Sequence, residues 1–422
     1  MLIIKRSGFF SDSEIPKSIF YLGFALKLLA GFALTWIYTY YYTDRLAADI
    51  YKYFDDSKIM FDALRTNPAH FFAMLTGINE NTDAIGVYYD TMLNWHKLDL
   101  VYNDNHLLIR TNTVLRFFSL GYFAVHTIAL SFISFSGLVA LFHLFKKKLN
   151  CTNYLTFFLL LLMPSLLFWT SGTLKDGLLL GLFGLFIYQF DGILNKGISI
   201  SRIILLTITF FFLIQIKVYV FMIALPGIGL WLLLKNKEFS FIKSAFIWFG
   251  TYILFVVALG NLHHLFPQYN FNQQIALKQY HFKRLAIERE SGSYIEIKKV
   301  EPTLNGVIKN SPGAFFTVLA RPYLFESMSP LILLASLENT FIILSILVSL
   351  MFLHLNKLKK PDKLYVFSIV FLIGIFVLIG LVTPVMGAIV RYKTIALPFL
   401  IFITLYQINW NANPILRKLL KT

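Results

Sequence analysis

The 422-residue chain holds a single cysteine, Cys151, which excludes a disulfide within the chain and any thiolate metal cluster. Charge is scarce as well: 14% of the residues are Asp, Glu, Lys or Arg, against about 25% in an ordinary soluble domain. Acids are the rarer sign, 22 against 38 bases. No internal repeat is present, and no small-residue cleavage site follows the first apolar run. What the chain has in excess is apolar surface: 57% of its residues are hydrophobic and 17% aromatic. So much apolar area cannot fit inside one water-soluble core. A disordered chain, a disulfide scaffold and a conventional cytosolic enzyme are excluded, and a polytopic membrane protein is left. The net charge of +16 then reads first as topology, not as affinity for nucleic acid.

Apolar stretches bounded by charges fall at 18–42, 119–145, 154–170, 177–194, 203–216, 219–234, 244–260, 330–354, 364–383 and 394–410. The expected fold is all-α, a single membrane domain over residues 1–422 with about ten spans. The first stretch reads as a retained span. Several others are shorter than the roughly 20 residues of a straight crossing, so 154–194 and 203–234 read as hairpins of short helices. Eighteen of the 38 bases fall on one side of this path, among them Lys146 to Lys148, Lys357 to Lys363, Arg417, Lys418 and Lys421. The positive-inside rule makes that side the cytoplasm, with both termini there. Two long segments, 43–113 and 261–329, face outward and are expected to contain interfacial helices; the first carries ten acids and six bases, the second five acids and eight bases.

Directly after the first span, Leu46, Ile50, Phe54 and Phe61 recur at steps of four and seven, the period of an amphipathic helix. Asp49, Tyr53 and Asp56 share one face of it, Asp55 and Asp62 another. A carboxylate there can accept the proton of an attacking hydroxyl while a phosphate leaves from the far side of the reacting carbon. The plainer role of such acids is to solvate an interfacial helix.

A first span followed at once by an acidic, aromatic outer helix resembles the GT-C superfamily of integral-membrane glycosyltransferases, which take sugars from polyprenyl-phosphate carriers. In that family the catalytic acid stands in the first outer loop. By position Asp49 is the match, with Asp44, Asp55 and Asp56 as rivals; Asp55-Asp56 loosely replaces the Asp-Glu pair of many members. The resemblance implies an outward-facing transferase of the bacterial inner membrane. Its donor would be a polyprenyl-phosphate-linked sugar, its acceptor a hydroxyl on a glycan, lipid or protein, and a divalent metal (Mg or Mn) an optional cofactor.

Cations on outer connections break the positive-inside pattern: Lys175 in Ser171-Gly172-Thr173-Leu174-Lys175-Asp176, Lys217, and Arg391-Tyr392-Lys393. A phosphate leaving group needs fixed positive charge of this kind. Lys217 reads first as a membrane anchor whose amine snorkels to head groups. Arg391-Tyr392-Lys393 with Pro398 resembles a signature of bacterial GT-C-like transferases and some repeat-unit polymerases. Trp169 to Gly172 followed by Lys175-Asp176 resembles a turn of envelope polysaccharide proteins. Arg321 is a further phosphate candidate, with Glu326 either orienting it or pairing with it.

Lys27 and Glu338 lie within spans, where a charge requires a partner or a cavity. Two alternatives to a transferase stand beside it, of which the nearer, a repeat-unit polymerase or ligase, would depend on the outer cations more than on Asp49. The other is a lipid-linked sugar flippase or proton-coupled transporter, for which Lys27 and Glu338 are the sequence argument and in which they would matter most. His126, His143 and His354 read as packing or interfacial residues.

Overall fold

A computed structural model describes residues 2–42, 44–46, 48–95, 104–326, 329–418 and 420. Lys421, counted above with the inner bases, and Lys97 and Asp99, counted in the first outer segment, lie outside the described residues. Every element is helical: α1 (Leu2–Arg6), α2 (Lys17–Tyr40), α3 (Asp49–Thr66), α4 (Pro68–Thr76), α5 (Asp83–Thr91), α6 (His106–Ser119), α7 (Phe123–Phe145), α8 (Asn153–Leu162), α9 (Pro164–Trp169) and α10 (Lys175–Lys196). There follow α11 (Ile200–Leu233), α12 (Phe241–Asn261), α13 (Phe271–Glu288), α14 (Leu304–Ala320), α15 (Pro330–Met351), α16 (Leu355–Lys359), α17 (Lys363–Val382), α18 (Met386–Tyr392), α19 (Leu397–Gln407) and α20 (Pro414–Arg417).

Seven of these helices are long and apolar enough to cross a membrane: α2, α7, α10, α11, α12, α15 and α17. The pair α18 and α19, bent by 64°, makes an eighth if it is one span. Two regions account for the difference from the sequence count. Residues 154–170 form two short helices, because Pro164 disfavours helical backbone at Met163, which takes ψ 116°. The stretches 203–216 and 219–234 run together as the 34-residue α11, interrupted only where Lys217 adopts φ −154°, ψ 80°.

The chain forms two compact units, Met1–Leu141 with Leu167–Val218, and Phe142–Leu166 with Tyr219–Thr422. In the first unit, α7 and α10 meet along glycines. A methyl added at Gly137 would stand 2.5 Å from Gly181 Cα, and one at Gly181 2.6 Å from Ile133 O. Gly177, Gly181 and Gly184 thus give α10 a face on which backbones touch, the small-residue packing that apolar helices use. On the acidic side, α3 packs against α6: buried Arg116 donates to Ser57 Oγ at 2.8 Å and to the Phe54 carbonyl. Of the expected apolar positions, Phe61 meets Phe117 of α6, Phe54 meets Phe123 of α7 and Ile50 packs with Leu174, while Leu46 lies before α3 and is 67% exposed.

In the second unit α14 runs along α17, where Val300, Val307 and Ala314 bury against Leu381 and Val382. Gln279 of α13 ties the same place together, donating to the carbonyls of Lys298 (3.0 Å) and Leu381 (2.7 Å) and accepting from Val300 N. Part of the segment 261–329 thus packs onto the most apolar helix of the chain.

Candidate functional site

The polar centre of the first unit is built on the loop between α9 and α10, Thr170 to Leu174, which is buried throughout. A buried loop must satisfy its polar groups internally, and the hydroxyl residues of this one supply the means. Ser171 Oγ donates to the Leu167 carbonyl (2.6 Å), Gly172 N to Ser131 Oγ (2.9 Å), and Thr173 Oγ1 to the Ile50 carbonyl (2.9 Å). Gly172 turns the chain at φ +76°, a left-handed conformation that favours glycine. The fully buried Lys27 of α2 reaches the loop: its Nζ donates to Thr170 O (2.9 Å), Thr170 Oγ1 (2.6 Å) and Ser134 Oγ (2.9 Å). These acceptors are hydroxyls and a carbonyl, all within the first unit. Glu338 finds its partners in the second.

Where the loop enters α10, the chain carries Lys175 and Asp176. Lys175 Nζ lies 2.8 Å from Asp104 Oδ1 and 2.5 Å from Asn105 Oδ1, and 5.1 Å from the centre of the Tyr53 ring. Asp176 accepts from Lys217 Nζ at 2.7 Å, both side chains being at least 92% buried. Lys217 is therefore an internal ion-pair partner at the break in α11, and the snorkelling reading is corrected. Asp176 also sits in the first turn of α10, where the helix dipole favours negative charge.

The loop docks on the first turn of α3. Leu174 packs with Ala48, Ile50 and Tyr51, and Thr173 bonds to Ile50. Asp49 opens that helix, about a third exposed, with Lys52 Nζ 3.1 Å away. Its neighbours on the helix behave differently. Asp55 is exposed and held by Arg45 at 2.7 Å. Asp56 is buried and accepts from Leu93 N (3.0 Å), Asn94 N (2.9 Å) and Asn94 Nδ2 (3.0 Å), fastening the turn after α5. Burial pushes the Asp56 carboxyl upward, the Asn94 and Leu93 N–H groups pull it back, and the net direction is up. Asp44 accepts from Leu46 N at 3.0 Å. The periodicity that puts Asp49 and Asp56 on one face does not distinguish a partly open acid from a buried structural one.

No protein-family model, no curated protein and no solved structure matches the chain. Among the described residues no group of three or more His, Cys, Asp or Glu stands close enough to hold a metal ion. Asp56 would have to give up three N–H donors, and Asp55 its guanidinium, to serve as ligands.

The remaining candidates belong to the second unit. Arg321 pairs with Glu326 at 3.0 Å, the plainer of its two expected roles. Lys393 is buried and donates to Asn339 Oδ1 at 2.8 Å, next to Glu338 in α15. Tyr392 meets Phe282 edge-on, and Arg391 is partly exposed at the end of α18. His126 is a buried link between Asn112 Oδ1 (2.7 Å) and Ser119 Oγ (2.8 Å), and His354 caps α16.

Sequence reasoning missed Asp104 and Asn105 as the partners of Lys175, and the pairing of Asp176 with Lys217. A weak signal existed for the second: opposite charges stand at the ends of consecutive apolar runs.

Proposed function

We propose that the protein is an inner-membrane glycosyltransferase that moves a sugar from a polyprenyl-phosphate or polyprenyl-diphosphate carrier to a hydroxyl acceptor on the outer face. The observation that carries the reading is the docking of the Thr170–Leu174 loop on the first turn of α3. It sets a cation at the start of a 22-residue helix, Lys175, beside Tyr53, one turn along α3 from Asp49. Four residues of helix span about 6 Å, so acid and cation border one small region.

On this reading the acceptor oxygen attacks the anomeric carbon and Asp49 takes its proton. The carbon–oxygen bond to phosphate breaks with its electron pair on the phosphate oxygen. Lys175 and the positive end of the α10 dipole stabilise that anion. The chain crosses the membrane about ten times, with α8–α9 and each half of α11 taken as crossings and both termini cytoplasmic. Each half of α11 is about 25 Å long, enough for a thinned or tilted passage.

The test is sugar transfer by the purified protein with a panel of synthetic polyprenyl-linked donors. Asp49→Asn is expected to lower kcat by about 10²–10⁴, as loss of a general base does, and Lys175→Met by about 10²–10³. Full activity of Asp49→Asn removes Asp49 as base, and absence of transfer by wild type with every donor defeats the reading. A repeat-unit polymerase or ligase would instead depend on the cations, Lys175, Arg321 and Arg391, more than on Asp49.

The break in α11 at the Asp176–Lys217 pair favours one second reading, a lipid-linked sugar flippase, since interrupted helices with buried charge mark transport sites. A flippase would move the carrier across vesicles without transferring its sugar.

A further inference from the structure

Glu338 takes no part in the site above. It lies in the third turn of α15 and is 5% exposed. Its Oε2 accepts the Ser165 N–H at 2.6 Å, at the start of α9. Its Oε1 is buried without a hydrogen-bond partner. Glu338 also lines a cavity of about 320 Å³, with Leu155, Phe158, Leu159, Met163 and Phe341 around it, and is the one charged residue in that lining. This volume lies at the small end of ligand pockets, about 300–1,000 Å³. The cavity exists because the chain breaks between α8 and α9 at Met163-Pro164, opening a gap beside α15. Its rim reaches the surface at Leu162 (48% exposed) and Phe341 (50% exposed).

We propose that this cavity binds a lipophilic alcohol, a molecule whose apolar body fills the groove and whose O–H donates to Glu338 Oε1. The lining selects that chemistry by elimination. A wholly hydrocarbon chain would fit the walls but leave a buried acceptor unmet, which proteins avoid. A water molecule needs two to four polar partners, and apolar walls supply none beyond the carboxyl. An anionic head group is repelled by the carboxylate. A cationic amine would share the cluster with the buried Lys393 ammonium, which donates to Asn339 Oδ1 next along the chain from Glu338. A neutral hydroxyl meets none of these objections. The proposal is independent of the glycosyl-transfer reading.

The test uses the full-length protein in lipid nanodiscs and dicyclohexylcarbodiimide, an apolar reagent for carboxyl groups in apolar surroundings. The carboxylate oxygen bonds to the central carbodiimide carbon while a proton from water moves to a carbodiimide nitrogen. An O-to-N acyl shift then gives a stable N-acylurea, and nothing leaves. Peptide mass spectrometry reads the label at Glu338, with 1-dodecanol and dodecane as competing probes. The expected result is labelling of Glu338 in wild type, slowed to half by 1-dodecanol at about a tenth or less of the dodecane concentration needed, the advantage of one hydrogen bond to a charged acceptor. Met163→Trp, which fills the groove, is expected to abolish that difference while gel-filtration retention stays unchanged; Leu159→Phe serves if Met163→Trp does not fold. Equal protection by the two probes overturns the proposal. So do an unlabelled Glu338 in folded wild type and labelling that neither probe slows.

Discussion

Neutralising one member of the Asp176–Lys217 pair should damage the first unit far more than neutralising both. The two side chains are 2.7 Å apart and at least 92% buried. At an effective dielectric constant of about 20, unit charges at that distance attract by about 6 kcal/mol. The desolvation of two ions offsets most of this, so the pair as a whole adds little net stability. Removing one partner is another matter, because it leaves a buried charge uncompensated, at a cost of about 3–5 kcal/mol. Lys217→Met and Asp176→Leu should each lose about that much, and the double variant should recover to within about 1–2 kcal/mol of wild type. In a unit of about 190 residues, 1 kcal/mol corresponds to about 2–4 °C in Tm. The single variants should therefore melt about 6–20 °C lower. Differential scanning fluorimetry in detergent on the four proteins gives the double-mutant cycle. Singles within 2 °C of wild type, or a double variant as poor as the sum of the singles, would refute the argument.

Gly137→Val should cost about 1–3 kcal/mol or more through overpacking against Gly181. Gly250→Ala in α12, where an added methyl meets nothing within 4 Å, should instead gain up to about 1 kcal/mol; thermal melts of both check the contrast. Arg45→Ala should change stability by less than about 1 kcal/mol, because its pair with Asp55 is exposed. Burial, opposed by nearby Asp362 and Cys151, holds the Lys357 amine down at about 8. The unfolded chain thus binds the extra proton between about pH 8 and 10.5. The contribution of Lys357 to stability should rise with pH through that window, and Lys357→Met should flatten the rise in a pH series of melts.

The apolar runs were legible because each carries its signal locally, and α2, α7, α10, α12, α15 and α17 coincide with them. The short pair α8–α9 was half legible: Pro164 announces a break, but whether two short helices amount to a crossing depends on what packs around them. Apart from Arg321 with the nearby Glu326, charges were found as positions but not as partners. Asp176 and Lys217 lie 41 residues apart and Lys175 and Asn105 lie 70 apart, so nothing in either local pattern names the other. Asp49 and Asp56 looked equivalent because helical period assigns faces, not depth. Asp56 is buried by a turn at Leu93 and Asn94, 37 and 38 residues away, that no periodicity of α3 could supply.

The hydroxyl cage around Lys27 also sets an order of events during synthesis. Its acceptors on Ser134 and Thr170 lie 107 and 143 residues downstream. At about 5–20 residues per second, a helix with a solitary amine at mid-depth would wait about 7–30 s before its last acceptor emerges from the ribosome. Over that interval α2 must either keep Lys27 at the water boundary or remain beside the insertion machinery. The first long apolar helix to be made would then be among the last to settle.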